Sequence, residues 1–353
     1  MNSQSTNHQT LKEYYGHILG GTKDLKTNAC CSDPFSMPTH VRAILNQIDP
    51  AITDRFYGCG SPIPSALEGC RVLDLGCGTG RDSYILASLV GEQGQVIGID
   101  MTDEQLMVAT GHIPSMMEKF GFHQPNIDFR QGYIEDLQTP GIEDNSMDVV
   151  ISNCVINLSP HKEEVFREIF RVLKPGGELL FSDVFAGQRI PAPLKDDPVL
   201  MGECLSGALY IEDFRRLLTG LGYPDYRLLS ASPITIANQQ IEEKIGNIDF
   251  QSLTVRLFKL DNLEDICEDY GQVAIYNGTV AEFPHFFQLD DHHRFINGKP
   301  MLVCGNTAAM VQDTRYGRHF TVHGDRKTHY GPFNCLPTAT DNGPDCTTTG
   351  GCC

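Results

Sequence analysis

The segment Arg71-Val-Leu-Asp-Leu-Gly-Cys-Gly-Thr-Gly-Arg-Asp82, followed by Val96-Ile-Gly-Ile-Asp100, decides the fold of this chain. Its apolar start predicts a buried strand, and its glycines predict a turn in which the backbone can approach a ligand closely. A helix and a second strand follow, and Asp100 stands where that second strand ends. This order predicts a doubly wound α/β domain with a ligand site at the carboxyl ends of its strands.

The spacing within the loop indicates which ligand the site takes. Gly76, Gly78 and Gly80 follow the pattern G-x-G-x-G, whereas a dinucleotide site uses G-x-G-x-x-G. Asp74 lies just before the glycines, where its carboxylate would repel a phosphate and attract a cation. Asp100 lies where the hydroxyls of a ribose would bind. An adenosine with a positively charged amino-acid tail fits both carboxylates, and S-adenosylmethionine (SAM) is that molecule.

A second strand–helix–strand unit follows the first. Asp148-Val-Val-Ile-Ser-Asn153 predicts a buried strand, and Glu163 to Leu173 has the apolar periodicity of a helix. Lys174-Pro-Gly-Gly177 predicts the end of that helix, and Glu178 to Asp183 predicts the next strand. This order, in which the segment Leu173-Lys-Pro-Gly-Gly177 joins the helix to the next strand, resembles that of the class I SAM-dependent methyltransferases. The resemblance implies a Rossmann-like sheet of seven strands.

Length and charge limit the partners of the protein. The chain has 353 residues, enough for a full α/β domain and a smaller unit. Its net charge of −18 argues against nucleic acid or an anionic membrane as a partner, because both require a basic face. No stretch approaches the about 20 apolar residues of a membrane span, and residues 1–10 lack the apolar core of a signal peptide. We expect a cytoplasmic monomer.

The chain divides into four predicted regions, and the first three are an arm, a core and a small domain. Residues 1–70 form a helical arm that contains thiols, with helices near Tyr14 and at Val41 to Ile48. Residues 71–260 form the SAM-binding core. A small, strand-rich domain follows at 261–330.

Two further expectations concern the later regions. The last two strands of the core are predicted at Tyr226 to Ile236 and at Ser252 to Leu260. A hairpin-like turn is predicted at Tyr276-Asn-Gly278. Residues 331–353 are rich in Gly, Pro, Thr, Asp and Cys, a composition that predicts disorder.

Several segments of the chain, taken together, resemble the arsenite methyltransferases. They are Leu25-Lys-Thr-Asn-Ala-Cys30, Tyr57-Gly-Cys-Gly60, Gly98-Ile-Asp-Met-Thr102, Ser152-Asn-Cys-Val-Ile-Asn-Leu158 and Gly202-Glu-Cys-Leu-Ser-Gly-Ala-Leu-Tyr210. The resemblance runs from about residue 12 to about residue 260 and continues more weakly beyond. It implies methyl transfer from SAM to thiolate-bound As(III), giving mono- and dimethylated or trimethylated arsenicals.

The resemblance also implies a role for four of the thirteen cysteines. Cys154 and Cys204 match the arsenic-binding pair common to the family. Cys59 matches the third arsenic thiolate, and Cys30 matches its disulfide partner, although the adjacent Cys31 leaves that choice open. The resemblance also implies SAM contacts at Tyr57, Gly76, Asp100, Met101, Ile134, Glu135 and Asn153. The glycine loop adds Asp74 and Gly78 to the predicted cofactor site.

The chemistry of arsenic gives an independent reason for these residue types. As(III) is soft and thiophilic, so thiolates select it as they select other soft ions. A trithiolate leaves a lone pair on arsenic that can attack a methyl carbon, and no general base is needed. Methylation formally oxidises arsenic, and a dithiol that closes to a disulfide can return the electrons. A reductant of the thioredoxin or glutathione type would then reset the dithiol.

The other cysteines and one polar cluster are interpreted as structural. Cys77 is expected to pack within the loop, and the same is expected of Cys70, Cys267, Cys304 and Cys335. The run Asp290-Asp-His-His293 is expected to be a solvated loop.

Two alternative functions stay open at this point. A SAM-dependent methyltransferase acting on an organic molecule, such as a quinone or sterol, would need a carboxylate or histidine base near the sulfonium. A non-enzymatic metal or arsenic scavenger would use the tail cysteines Cys346, Cys352 and Cys353.

Overall fold

The computed structural model describes residues 37–195, 197–236 and 238–335. The predicted helix near Tyr14, the cysteines Cys30 and Cys31, and the tail cysteines lie outside these residues. The chain divides into two compact units, and the first contains the described residues of 37–174, 179–214 and 231–254. Within the described residues, no helix is both long enough and apolar enough to cross a bilayer.

Two short helices, α1 (Thr39–Leu45) and α2 (Pro50–Thr53), precede the first strand. Strands and helices then alternate as β1 (Arg71–Leu75), α3 (Arg81–Val90), β2 (Gln95–Asp100), α4 (Asp103–Gly111), α5 (Ile113–Phe120), β3 (Ile127–Gln131), β4 (Met147–Asn153), α6 (Lys162–Val172) and β5 (Leu173–Ala186). The chain continues with α7 (Ala192–Lys195), α8 (Pro198–Gly202), β6 (Leu209–Tyr210), α9 (Ile211–Gly220), β7 (Arg227–Pro233), α10 (Gln239–Ile245) and β8 (Phe250–Phe258). A 3₁₀ turn at Ile156–Leu158 follows β4.

Seven strands form the main sheet in the order β3-β2-β1-β4-β5-β8-β7, and the two-residue β6 pairs with β5. β1 is parallel to both β2 and β4, and β2 is parallel to β3. The chain runs outward from β1 to β3 and then returns to β4 on the other side of β1. This reversal leaves a crevice beyond the carboxyl ends of β1 and β4, where doubly wound folds bind ligands. The predicted Rossmann-like fold is confirmed.

The apolar pattern of the sequence explains how the sheet is covered. Val72, Leu73 and Leu75 of β1 are fully buried, as expected for a strand with helices on both faces. The apolar face of α6 places Phe166 against Phe181 of β5, with ring centroids 5.9 Å apart in an edge-to-face arrangement. The predicted strands at 226–236 and 252–260 correspond to β7 and β8, displaced by one to three residues.

The second unit contains the described residues of 175–178, 215–230 and 255–335. Its remaining elements are β9 (Glu268–Asp269), β10 (Gln272–Tyr276), β11 (Phe286–Gln288), β12 (Arg294–Ile296), β13 (Pro300–Val303), α11 (Gly305–Gln312), a 3₁₀ segment (Arg315–His319), β14 (Phe320–His323) and β15 (Gly331–Pro332). β10 pairs with β13 and β14, β11 pairs with β12, and β9 pairs with β15.

Three expectations about this unit are wrong. The turn after Tyr276 does not form a hairpin, because the next strand, β11, pairs with β12 and not with β10. Disorder does not begin at Gly331, since Gly331 pairs with Asp269 in a two-stranded sheet. The polar run 290–293 is only partly solvated. Asp290 and His293 are buried and bonded to each other at 2.9 Å, and Asp290 also pairs with the buried Arg227 at 3.1 Å.

Candidate active site

A cavity lies beyond the carboxyl ends of β1, β2 and β4. The sequence assigned nine residues from five separate segments to a cofactor site. All nine line this one cavity: Tyr57, Asp74, Gly76, Gly78, Asp100, Met101, Ile134, Glu135 and Asn153. The arrangement follows from the parallel strands, whose carboxyl ends meet at one edge of the sheet.

The glycine loop forms one wall of the cavity with its backbone. Gly76 has φ +69° and Gly78 has φ +54°, values that glycine adopts without strain. A Cβ at Gly76 would lie 2.3 Å from the side chain of Val155, so only glycine fits there. The Asp100 carboxylate accepts hydrogen bonds from the backbone N–H of Gly78 at 2.9 Å and of Thr102 at 2.8 Å. Asp100 therefore holds the loop and the start of α4 in one arrangement.

The cavity is rich in carboxylates. Burial, together with the neighbouring Asp82 carboxylate, raises the pKa of Asp74 to about 8. Burial also raises the pKa of Asp100. Arg81 is the nearby cation, and its guanidinium pairs with Asp82 at 2.8 Å. Bringing a cationic ligand into the cavity would relieve the repulsion among these groups and stabilise their ionised forms.

The three predicted arsenic ligands converge beside this cavity. Cys59 and Cys154 form a disulfide, with their Cα atoms 5.7 Å apart. The thiol of Cys204 donates a hydrogen bond to the backbone carbonyl of Cys154 at 3.7 Å. All three side chains are buried and pack against aliphatic residues that include Val184 and Leu205. The structure thus brings Cys59, Cys154 and Cys204 together in dry surroundings.

The backbone at two of these cysteines is in an uncommon conformation. Cys154 has φ +59° and Cys204 has φ +58°. Among the described non-glycine residues only Ala66 and Asn145 share a positive φ. Such strain costs about 1 kcal/mol or more at each residue and is often found at functional sites. At Cys154, a backbone hydrogen bond to the carbonyl of Ser182 at 2.8 Å helps to hold the conformation.

Asn153 fixes the segment that contains Cys59. Its Oδ1 accepts hydrogen bonds from the backbone N–H of Cys59 at 3.0 Å and of Gly60 at 3.2 Å. Its Nδ2 donates to the Gly60 carbonyl at 3.0 Å and to the Asp82 carboxylate at 2.8 Å. A Cβ at Gly58 would lie 2.6 Å from the Asn153 amide, so glycine is required for this close approach.

Sequence reasoning missed Asp183. A carboxylate oxygen of this buried residue lies within 4.8 Å of the sulfur atoms of Cys59 and Cys154. It accepts hydrogen bonds from the side-chain amide of Asn157 at 2.7 Å and from the backbone N–H of Val184 at 2.8 Å. Burial raises the pKa of Asp183 to about 7. Asp183 follows a run of apolar residues in a strand, as Asp100 and Asn153 do, and that pattern could have identified it.

Other predicted residues are placed as follows. Glu135 lines the cavity, and its carboxylate accepts a hydrogen bond from the Ser159 hydroxyl at 2.5 Å. Cys77 is buried, and burial raises the pKa of its thiol well above the usual value, which fits a packing role. The resemblance implied a disulfide between Cys30 and Cys59. In the structure Cys59 is bonded to Cys154, and Cys30 lies outside the described residues, so the pairing of Cys30 with Cys59 stays a prediction.

Fold and cavity together define a class I SAM-dependent methyltransferase. A family model described as a methyltransferase domain matches residues 66–222, and one described as the arsenite methyltransferase C-terminal domain matches residues 270–353. An arsenite methyltransferase of Aquipseudomonas alcaligenes is 52% identical over 92% of this chain and 93% of its own length. The chain belongs to the arsenite methyltransferase family.

Two further relatives support this assignment. The arsenite methyltransferase of Homo sapiens is 42% identical over 88% of this chain and 82% of its own length. The crystal structure of CrArsM, an arsenic(III) S-adenosylmethionine methyltransferase from Chlamydomonas reinhardtii, is 51% identical with a TM-score of 0.82. The match covers 85% of this chain and 100% of that one.

Proposed function

We propose that this protein transfers methyl groups from SAM to As(III) held by Cys59, Cys154 and Cys204. The single observation that supports this most strongly is the position of Cys154. Cys154 lines the cofactor cavity, and its sulfur atom contacts that of Cys59 while its backbone carbonyl contacts the Cys204 thiol. One residue therefore connects the methyl-donor site to the thiol cluster. The expected products are mono- and dimethylated arsenicals, or trimethylated ones.

The residues of the cavity fit SAM. The site has no room for a side chain at Gly76 and leaves the loop backbone exposed to a ligand. Asp74 and Asp100 provide two buried carboxylates, which suit an α-ammonium group and a pair of ribose hydroxyls. When bound, SAM supplies an electrophilic methyl group on a sulfonium. We propose that the nine cavity residues named above hold it there.

The thiols position the acceptor. Three thiolates replace the hydroxyl groups of arsenous acid and leave one lone pair on arsenic, which takes the methyl group. No proton leaves the nucleophile in this step, so the protein contributes position and the exclusion of water. Val184, Leu205 and the neighbouring aliphatic side chains supply the dry surroundings.

The electrons must balance after each transfer. Methylation takes arsenic formally from As(III) to As(V). Two cysteine thiols return two electrons, lose two protons and become a disulfide, so that arsenic is trivalent again. The Cys59–Cys154 disulfide is one candidate for this oxidised state. The pairing of Cys30 with Cys59 is the other, and it stays a proposal.

The reductant and the setting of the protein complete the proposal. A thioredoxin- or glutathione-type reductant would reopen the disulfide by thiol–disulfide exchange. The need for reduced thiols suits the cytosol, and we propose a cytoplasmic monomer. We also propose the division into a thiol-containing arm (1–70), a catalytic core (71–260), a C-terminal domain (261–330) and a tail.

The test is to incubate the protein with arsenite, SAM and a dithiol, and to identify the products by mass. We expect methylated trivalent arsenic. If SAM binds but no methylated arsenic forms, the proposal fails. The methyltransferase would then act on an organic acceptor, for which the carboxylate of Asp183, within 4.8 Å of the sulfur atoms of Cys59 and Cys154, is a candidate base.

A further inference from the structure

Three cysteines of the second unit lie together. Cys267 precedes β9, Cys304 follows β13, and Cys335 follows β15. Their sulfur atoms all lie within 4.8 Å of one another. Pairing of β9 with β15, continued by a hydrogen bond from the Phe333 N–H to the Cys267 carbonyl at 2.8 Å, brings two of the three together. All three were expected to pack as structural cysteines, and 31 residues or more separate each from the next in the chain.

The surroundings of Cys304 suit a thiolate. Cys304 is the N-cap residue of α11, and its sulfur accepts a hydrogen bond from the Thr307 backbone N–H at 3.4 Å. The Thr307 hydroxyl lies 3.2 Å from the same sulfur. A buried thiolate with these partners is a ready ligand for a soft ion.

The cluster contains sulfur ligands only. Among the described residues, no histidine, aspartate, glutamate or further cysteine places a ligand atom within the group. A bond of about 2.3 Å from each sulfur to a central As(III), in the pyramidal arrangement that its lone pair imposes, would separate the sulfurs by roughly 3.5 Å, which the observed spacing allows. Structural zinc sites have four protein ligands as a rule, whereas three thiolates complete the coordination of As(III) and leave its lone pair free.

We propose that Cys267, Cys304 and Cys335 form a second As(III)-binding site, separate from the site next to the SAM cavity. Cys335 is disulfide-bonded in the structure, whereas Cys267 and Cys304 are free thiols. The site is therefore complete only after a dithiol or phosphine reduces that disulfide. Arsenous acid then forms three As–S bonds and releases its three hydroxyl groups as water, with the protons supplied by the cysteine thiols or, for a cysteine already ionised, by solvent; arsenic does not change its oxidation state. The choice of As(III) as the ion rests on the proposed function.

The experiment counts the arsenic bound to the full chain. The protein is treated with a phosphine reductant, mixed with excess arsenite and desalted, and the arsenic per chain is measured by mass spectrometry. We expect Cys304→Ala and Cys267→Ser each to retain one equivalent less than the wild type. Cys70→Ser removes a buried cysteine of the first unit that is in no disulfide, and this variant should bind arsenic as the wild type does. Protein that has not been reduced should also lack this equivalent.

Two outcomes would overturn the proposal. Equal arsenic content in the wild type and in both variants, each shown to be folded by circular dichroism, would refute the site. If the reduced protein retains an additional equivalent of Zn²⁺ but no additional equivalent of arsenic, the choice of As(III) as the ion is refuted. Methylation by Cys304→Ala is expected at the wild-type initial rate. Absence of methylation by the wild type would refute the proposed function instead and leave the binding count valid.

Discussion

Replacing Asn153 with alanine would release the segment that contains Cys59. The side chain makes three hydrogen bonds with neutral backbone groups of residues 59 and 60 and one with the Asp82 carboxylate. Neutral bonds contribute about 1 kcal/mol each and a charged one about 1.5–3 kcal/mol, so about 6 kcal/mol is the upper limit. Water will replace part of this, and a net loss of about 3 kcal/mol is reasonable.

The expected consequence is a slower reaction at saturating SAM. Each 1.4 kcal/mol corresponds to a factor of ten in rate. If the lost free energy is the part that holds Cys59 in place, a loss of about 3 kcal/mol therefore lowers the turnover rate by roughly 100-fold. The assay is the initial rate of arsenite methylation with SAM well above its KM. The fraction of Cys59–Cys154 disulfide after mild oxidation, measured by peptide mapping, reports the same loss independently.

Asn126 provides a matched control for this experiment. It is also buried, and its side-chain amide donates to the carbonyls of Ala87 at 2.8 Å and Gly91 at 2.9 Å. Asn126→Ala should lower the stability of the fold but leave both readouts close to the wild type. The reasoning is refuted if Asn153→Ala keeps the wild-type rate and disulfide yield. It is also refuted if raising the SAM concentration restores the rate, because the defect would then lie in cofactor binding.

Further predictions concern the cofactor cavity and the thiol cluster beside it. Gly76→Ala should weaken SAM binding at least tenfold in calorimetry, whereas Gly91→Ala, with φ +70° and open space around it, should cost only about 1 kcal/mol of stability. SAM affinity should rise between pH 6 and about pH 8, because a cation favours the ionised form of Asp74, and Asp74→Asn should lose this dependence. Stability of the free protein should fall as the pH rises from about 4 to about 8, since a raised pKa favours the fold only while Asp74 is protonated. Asp183→Asn should keep arsenite methylation within about tenfold, as no base is required; a complete loss at normal SAM affinity would favour an organic acceptor.

The cofactor cavity could be predicted from the sequence because its geometry is local to each strand end. Asp74, Asp100 and Asn153 each stand at or near the carboxyl end of a strand that an apolar run identifies. The order of strands in a doubly wound sheet then places those ends side by side. Tyr57 and Ile134 required the family resemblance, since neither lies on a strand.

The thiol clusters were harder to predict because they depend on distant parts of the chain. The contact of Cys59 with Cys154 spans 95 residues and relies on the hydrogen bonds of Asn153. The left-handed backbone of Cys154 and Cys204 has no sequence signal, because cysteine rarely adopts it. The cluster around Cys304 depends on antiparallel pairing within the second unit, and local patterns do not reveal such pairing.

The role of the thiols next to the SAM cavity can be tested most directly by measuring arsenite methylation and SAM affinity together in Cys154→Ser and Cys204→Ser. The account predicts that methylated arsenic falls below detection in both variants while the SAM dissociation constant changes by less than about tenfold. Cys77→Ser, which alters a buried thiol of the glycine loop, should retain methylation. Methylation and SAM binding both at wild-type levels in the first two variants would contradict the claim that these thiolates hold the arsenic.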